Sequence, residues 1–157
     1  MKSRVSALWC ILLAAVMSLL LVMPAAAQEA KPVEVQVGAY VLRISNVSQK
    51  DGTFDVDMWL WFRWKGDAKP YESFEIANGR INSRSEAVVS DDGGFNYTSV
   101  RVQATVFHDY DVRRFPLDDH VLTIELEDEN LDSSALTYVA DEGIALDPGL
   151  RVPGWTV

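Results

Sequence analysis

Few residues in this chain have the type and spacing for bond chemistry. The two histidines, His108 and His120, lie in different segments without ligand-like spacing. Asp118-Asp119-His120 is the one tempting triplet, but neighbouring strand-like residues point to opposite faces and seldom share one ion. Acid pairs such as Asp91-Asp92 fall in a turn, where solvation explains them. No nucleophile motif, phosphate-cradling glycine loop or H-E-x-x-H pattern occurs. The expectation is therefore a protein that is not an enzyme, with no metal centre and no cofactor.

Binding chemistry is better represented. Trp59, Trp61 and Arg63 alternate along one face of a strand whose other face is wholly apolar. Two tryptophans on a face that should be wet have two readings. Either a loop or sheet edge covers them, or they form an interface that holds a cationic or apolar ligand. Arg63, on the same face, is placed to pair with an acid across a subunit boundary. Later comes Arg113-Arg114-Phe115-Pro116-Leu117-Asp118, a charged corner bent by proline. Its arginines either pair with Asp111, Asp118 or Asp119 inside the loop, or serve in docking.

The elements that must position these residues read as strands. Phe54, Val56, Met58, Leu60, Phe62 and Trp64 form an unbroken apolar row with period two. Val33, Val35 and Val37 alternate, then Tyr40, Leu42 and Ile44 follow on the opposite parity, which predicts a bulge at Gly38-Ala39. Val100, Val102, Ala104 and Val106 alternate, as do Leu122, Ile124 and Leu126 within a strand over Val121 to Glu127. Short strands are expected at 74–76, 80–81, 87–89, 95–97, 136–139 and 144–146. Turns are expected at Lys50–Thr53, Asn78-Gly79, Asp91–Gly94 and Asp147–Gly149. About eight short strands with no helical periodicity predict an all-β antiparallel immunoglobulin-like β-sandwich.

The beginning of the chain reads as an export signal. Lys2 and Arg4 precede an apolar run from Ala7 to Met23, and Pro24-Ala25-Ala26-Ala27 supplies small residues for cleavage before Gln28. The run is near the lower limit for a bilayer span, so an uncleaved anchor is the alternative. Residues 1–27 are thus expected to be a signal peptide and residues 28–157 one domain on the periplasmic or extracellular side. The single cysteine, Cys10, lies within the apolar run, so burial rather than a disulfide must hold the domain. Without Lys2 and Arg4 the balance is 12 basic against 23 acidic residues, a net charge of −11. Nucleic acid is not expected as a partner of such a surface. The sequence ends at Gly154-Trp155-Thr156-Val157 inside an apolar pattern, which reads as truncation.

The corner Arg113-Arg114-Phe115-Pro116-Leu117-Asp118, followed by Leu122-Thr123-Ile124, resembles the signature loop of the pentameric ligand-gated ion channels, the Cys-loop receptor superfamily. The resemblance extends back through the tryptophan-bearing strand to Val35–Ile44 and forward to Pro153-Gly154-Trp155. The loop's cysteines would fall near His108 and Leu122, so the disulfide is missing, as in prokaryotic relatives. The family's Trp-x-Asp reads Trp64-Lys65-Gly66-Asp67, with the acid displaced by one, and the segment from Lys65 to Ser99 is shorter than its counterpart.

The resemblance implies the extracellular ligand-binding domain of a homopentameric channel, taking a small-molecule ligand between subunits. Trp59, Trp61 and Arg63 would lie on the complementary face of that site. Arg114, Phe115, Pro116, Leu117 and Asp118 would couple binding to a membrane through a transmembrane domain absent from this chain. The alternative is a free-standing secreted or periplasmic β-sandwich that binds a small molecule or a carbohydrate.

Overall fold

A computed structural model describes residues 31–114 and 117–156. The expected signal peptide therefore lies outside the described residues, as do Phe115 and Pro116 of the corner. The framework begins with a hairpin of two long strands, β1 (Val33–Ser48) and β2 (Thr53–Trp64). Gly52 closes their turn at a φ of 63°, a backbone state that glycine reaches without a Cβ penalty. A short helix α1 (Pro70–Ser73) leads into β3 (Phe74–Ile76) and β4 (Gly79–Arg84). A tight hairpin joins β5 (Ser90–Asp92) to the long β6 (Phe95–Phe107). Gly93 and Gly94 form its two-residue loop with φ of 61° and 84°, the twist such loops require. The chain then passes through β7 (Leu126–Asp128), β8 (Leu136–Ala140) and β9 (Ala145–Leu146).

These strands form two sheets in a sandwich-like arrangement. The larger runs β4-β6-β2-β1-β8, with β5 beside β6 and β9 beside β1; the smaller is β3-β7. β2 is the central strand, paired with β6 from Thr53↔Phe107 to Trp64↔Asn96 and with β1 on its other side. The ladders are antiparallel except at one edge, where β8 and β9 both run parallel to β1. A uniformly antiparallel sandwich thus needs amending. The crossover through β7 in the other sheet supplies the long connection a parallel pair demands.

The apolar row of β2 is the floor of the core. Phe54, Val56, Met58, Leu60, Phe62 and Trp64 are all buried, and so are Val100, Val102, Ala104 and Val106 of β6. Phe74 and Ile76 of the small sheet close over them, with the Phe62 and Phe74 rings 5.1 Å apart. Burying each such side chain contributes about 1.5–3 kcal/mol, enough to hold a domain that has no disulfide.

Four local expectations change. β1 is irregular between Val41 and Arg43, leaving Leu42 as the extra residue, and again between Ser45 and Ser48, and not at Gly38-Ala39. Val35, Val37, Ala39 and Val41 all oppose inward residues of β2, so Gly38 and Tyr40 face outward. Asn78-Gly79 is a crossover between sheets rather than a hairpin, because β3 pairs with β7 while β4 pairs with β6. Residues 121–125 carry no strand ladder, although Leu122 and Ile124 pack against the core, and residues 87–89 are likewise outside any strand.

Candidate functional site

The outer face of the large sheet carries the predicted aromatic residues, because the period of β2 turns every odd-numbered side chain away from the core. Along this row stand Asp55, Asp57, Trp59, Trp61 and Arg63, flanked by odd-numbered residues of β6 and by the outward residues of β1. Trp59, Trp61 and Arg63 thus share one face, but their surroundings differ.

Trp61 is held by its own chain. Its Nε1 donates to Asp141 Oδ2 at 2.6 Å, and its indole lies in a slot between two glycines. A Cβ placed on Gly38 would come within 2.0 Å of the ring, and one on Gly143 within 2.8 Å. The segment after β8 therefore covers this tryptophan, as the first of the two readings required. Arg63 is also occupied: its Nε donates to Asp92 Oδ2 at 2.8 Å and its Nη1 to Gln36 Oε1 at 3.1 Å. The guanidinium sits 3.7 Å above the Phe95 ring, with the Lys65 ammonium 4.4 Å from the same ring.

Trp59 is different. It opposes Tyr40 on one side and Arg101 on the other, and it remains 38% exposed. Its neighbours are themselves fixed. Tyr40 Oη donates to Asp147 Oδ2 at 2.9 Å, and this bond to a carboxylate pushes the phenol's pKa up. Arg101 grips Asp57 with two bonds of 2.9 and 2.8 Å, Gln103 adds a third at 3.3 Å, and Arg43 stands 3.6 Å away. Asp57 is only 6% exposed, yet the Arg101 bonds outweigh its burial and hold the carboxyl below its ordinary range. Sequence reading passed over Asp57 and Arg101: only strand pairing joins residues so far apart.

At the corner, Arg113 donates through Nε to Asp111 Oδ1 at 2.8 Å, the intraloop pairing that was one of the two readings. Arg114 is exposed and forms no ion pair among the described residues; its carbonyl accepts from the Leu117 amide at 2.8 Å. Leu117 is exposed, whereas both carboxylate oxygens of Asp118 are buried without a hydrogen-bond partner. The corner thus presents Arg114 and Leu117 outward and keeps Asp118 inward.

The histidines separated in sequence come together in space. The His108 and His120 rings lie 5.9 Å apart, and both pack against Tyr110. Among the described residues no three His, Cys, Asp or Glu side chains converge as metal ligands would. No described helix is long and apolar enough to cross a membrane. No family model matches this chain, and no curated protein matches it significantly.

Proposed function

We propose that this chain is an exported, immunoglobulin-like ligand-binding domain of the kind carried by pentameric ligand-gated ion channels. It binds a small ligand between subunits and performs no bond chemistry. The ligand or the neighbouring subunit meets the outer face at Trp59. The resulting shift passes through the corner Arg114–Asp118 to a pore outside this chain, across a periplasmic or extracellular membrane face. One observation carries the reading. On a face where the surrounding charged and polar side chains are paired within the chain, the central tryptophan is left partly uncovered. Tryptophan is enriched at the energetic centres of interfaces, where it is surrounded by contacts that exclude water. The resemblance of the corner to the channel family's signature loop supports the coupling role.

Light scattering on the exported chain across a concentration series tests this, with Trp59→Ala alongside. A mass near five protomers that falls in the variant supports an inter-subunit site. A monomer at every concentration, unaffected by the substitution, removes it. That outcome favours a free-standing binding module, in which the exposed ring of Trp59 beside Arg101 offers a stacking platform and a donor to a sugar.

A further inference from the structure

We infer that the chain holds a second ligand site, inside one end of the sandwich, for a small neutral aromatic molecule bearing a hydroxyl group. A cavity of about 250 Å³ lies there between β1, β9 and the unpaired stretches that follow β6 and β9. Its lining includes Tyr110, His120 and Trp155 on the aromatic side and Ile44, Leu122 and Leu146 on the aliphatic side. The site is separate from Trp59 and does not depend on the channel reading.

The strand ladders explain why space remains. Residues 108–114 and 117–125 have no ladder partner, so irregular chain rather than paired strand walls this end. Side chains fill the gap only in part. Apolar cavities of about 150 Å³ stay dry and admit benzene, so this volume accommodates a substituted single ring or a fused pair.

The aromatic side sets the class of occupant. The His120 ring stands edge-on to Tyr110 at 5.1 Å and 76°, and to Trp155 at 5.5 Å and 69°. Tyr110 and Trp155 are 6.3 Å apart, so the three rings form one cluster in the spacing range that aromatic pairs favour. An entering ring extends that cluster. No carboxylate is among the described lining residues, so nothing in the cavity wall pairs directly with a cation that has shed its water. This selects a neutral ring over a quaternary amine.

The polar handle comes from His120. Its Nε2 is buried without a hydrogen-bond partner, and so is that of His108 behind it. A neutral imidazole offers a donor at one nitrogen and an acceptor at the other. A hydroxyl can donate or accept, so it satisfies Nε2 in either tautomer once the imidazole turns toward the cavity. A methyl group in its place leaves the nitrogen unsatisfied.

The test is titration of the whole exported chain with phenol, toluene and tetramethylammonium, followed by the indole NMR signal of Trp155. Phenol is expected to bind saturably and about tenfold more tightly than toluene, the worth of one ordinary hydrogen bond. His120→Phe should bring phenol down to the affinity of toluene without altering toluene itself. Leu146→Trp, at the half-exposed rim, should fill the cavity and weaken both by more than about tenfold. Absence of saturable binding overturns the proposal, as does unchanged phenol affinity in Leu146→Trp. Equal affinities for phenol and toluene overturn the role of His120, and tighter tetramethylammonium overturns the choice of a neutral ligand.

Discussion

Gly38→Ala should destabilise this domain far more than its position in an exposed-face row suggests. The φ of Gly38 is not positive, so alanine fits the backbone without strain. Its methyl, however, would stand 2.0, 2.1 and 2.3 Å from three atoms of the Trp61 indole. The ring has little room to move, since it is tied to Asp141 and packs so close to Gly143 that a Cβ there would come within 2.8 Å of it. The indole must leave its slot and give up the bond to Asp141. Truncating a fully buried tryptophan costs about 3–5 kcal/mol; Trp61 is half-buried, which halves this to about 2. Losing a hydrogen bond to a carboxylate adds about 1.5 kcal/mol, for a total near 3.5. With a urea slope of about 2 kcal/mol per molar, the midpoint followed by far-UV circular dichroism should drop by about 1.7 M. Trp61→Ala alone should cost a similar amount. In that background the slot is empty, and Gly38→Ala should be neutral or gain about 0.5 kcal/mol. The two substitutions should thus show a coupling of about 3.5 kcal/mol in a double-mutant cycle. A cost below about 1 kcal/mol for Gly38→Ala, or the same cost in both backgrounds, would refute the slot.

Asp57→Asn should cost about 1–2 kcal/mol at neutral pH, discounted because Arg101 is 45% exposed on its side chain. The folded-state pKa of Asp57 is depressed, so its contribution is present above the unfolded value and lost as pH falls through the folded one. Denaturation curves of wild type and variant should therefore converge only on acidification below pH 3.8, and convergence nearer neutrality would assign the effect to another group. Asn78→Ala should cost about 1–2 kcal/mol, because its side chain donates to Thr123 O at 2.8 Å and accepts from the Glu125 amide at 2.9 Å. Amide exchange should report faster opening at Glu125, and unchanged protection there would show that the stretch is held by packing alone.

The long strands were legible because both of their signals agree. The even-numbered row of β2 alternates over eleven residues and that of β6 over seven, and burial follows the alternation except at Asp57, which is buried on the outer face. The Gly93-Gly94 loop was legible for a related reason, since two consecutive positive φ angles call for glycine. Asn78-Gly79 carried the same kind of signal but spends it differently: Asn78 bonds across to 123–125, and Gly79 lets β4 pass close to the Thr105 carbonyl. Local sequence shows that the chain turns there, not which sheet receives it. The alternation of Leu122 and Ile124 is real packing without a ladder, a case in which period two marks burial but not pairing. The aromatic site was half legible. Alternation put Trp59 and Trp61 on one face, but the cover over Trp61 comes from Asp141 and Gly143, eighty residues away.

The outer row of β2 gives Trp59 its meaning. Asp55 accepts from Asn46 and Thr105, Asp57 from Arg101 and Gln103, Trp61 donates to Asp141, and Arg63 donates to Asp92. These bonds tie β2 to β1, β5, β6 and the segment after β8, so the row is fixed on both sides of the tryptophan. The Trp59 side chain makes no hydrogen bond among the described residues, while its backbone is paired on both sides in the central strand. A partner that covers it need not first order the surrounding side chains, the cost that most weakens binding at flexible surfaces. Nor must it break the neighbouring ion pairs to reach the ring. Trp61 is tied down by its own chain, whereas Trp59 stays partly open. Two positions on one strand face differ in this way because the segment after β8 reaches only Trp61.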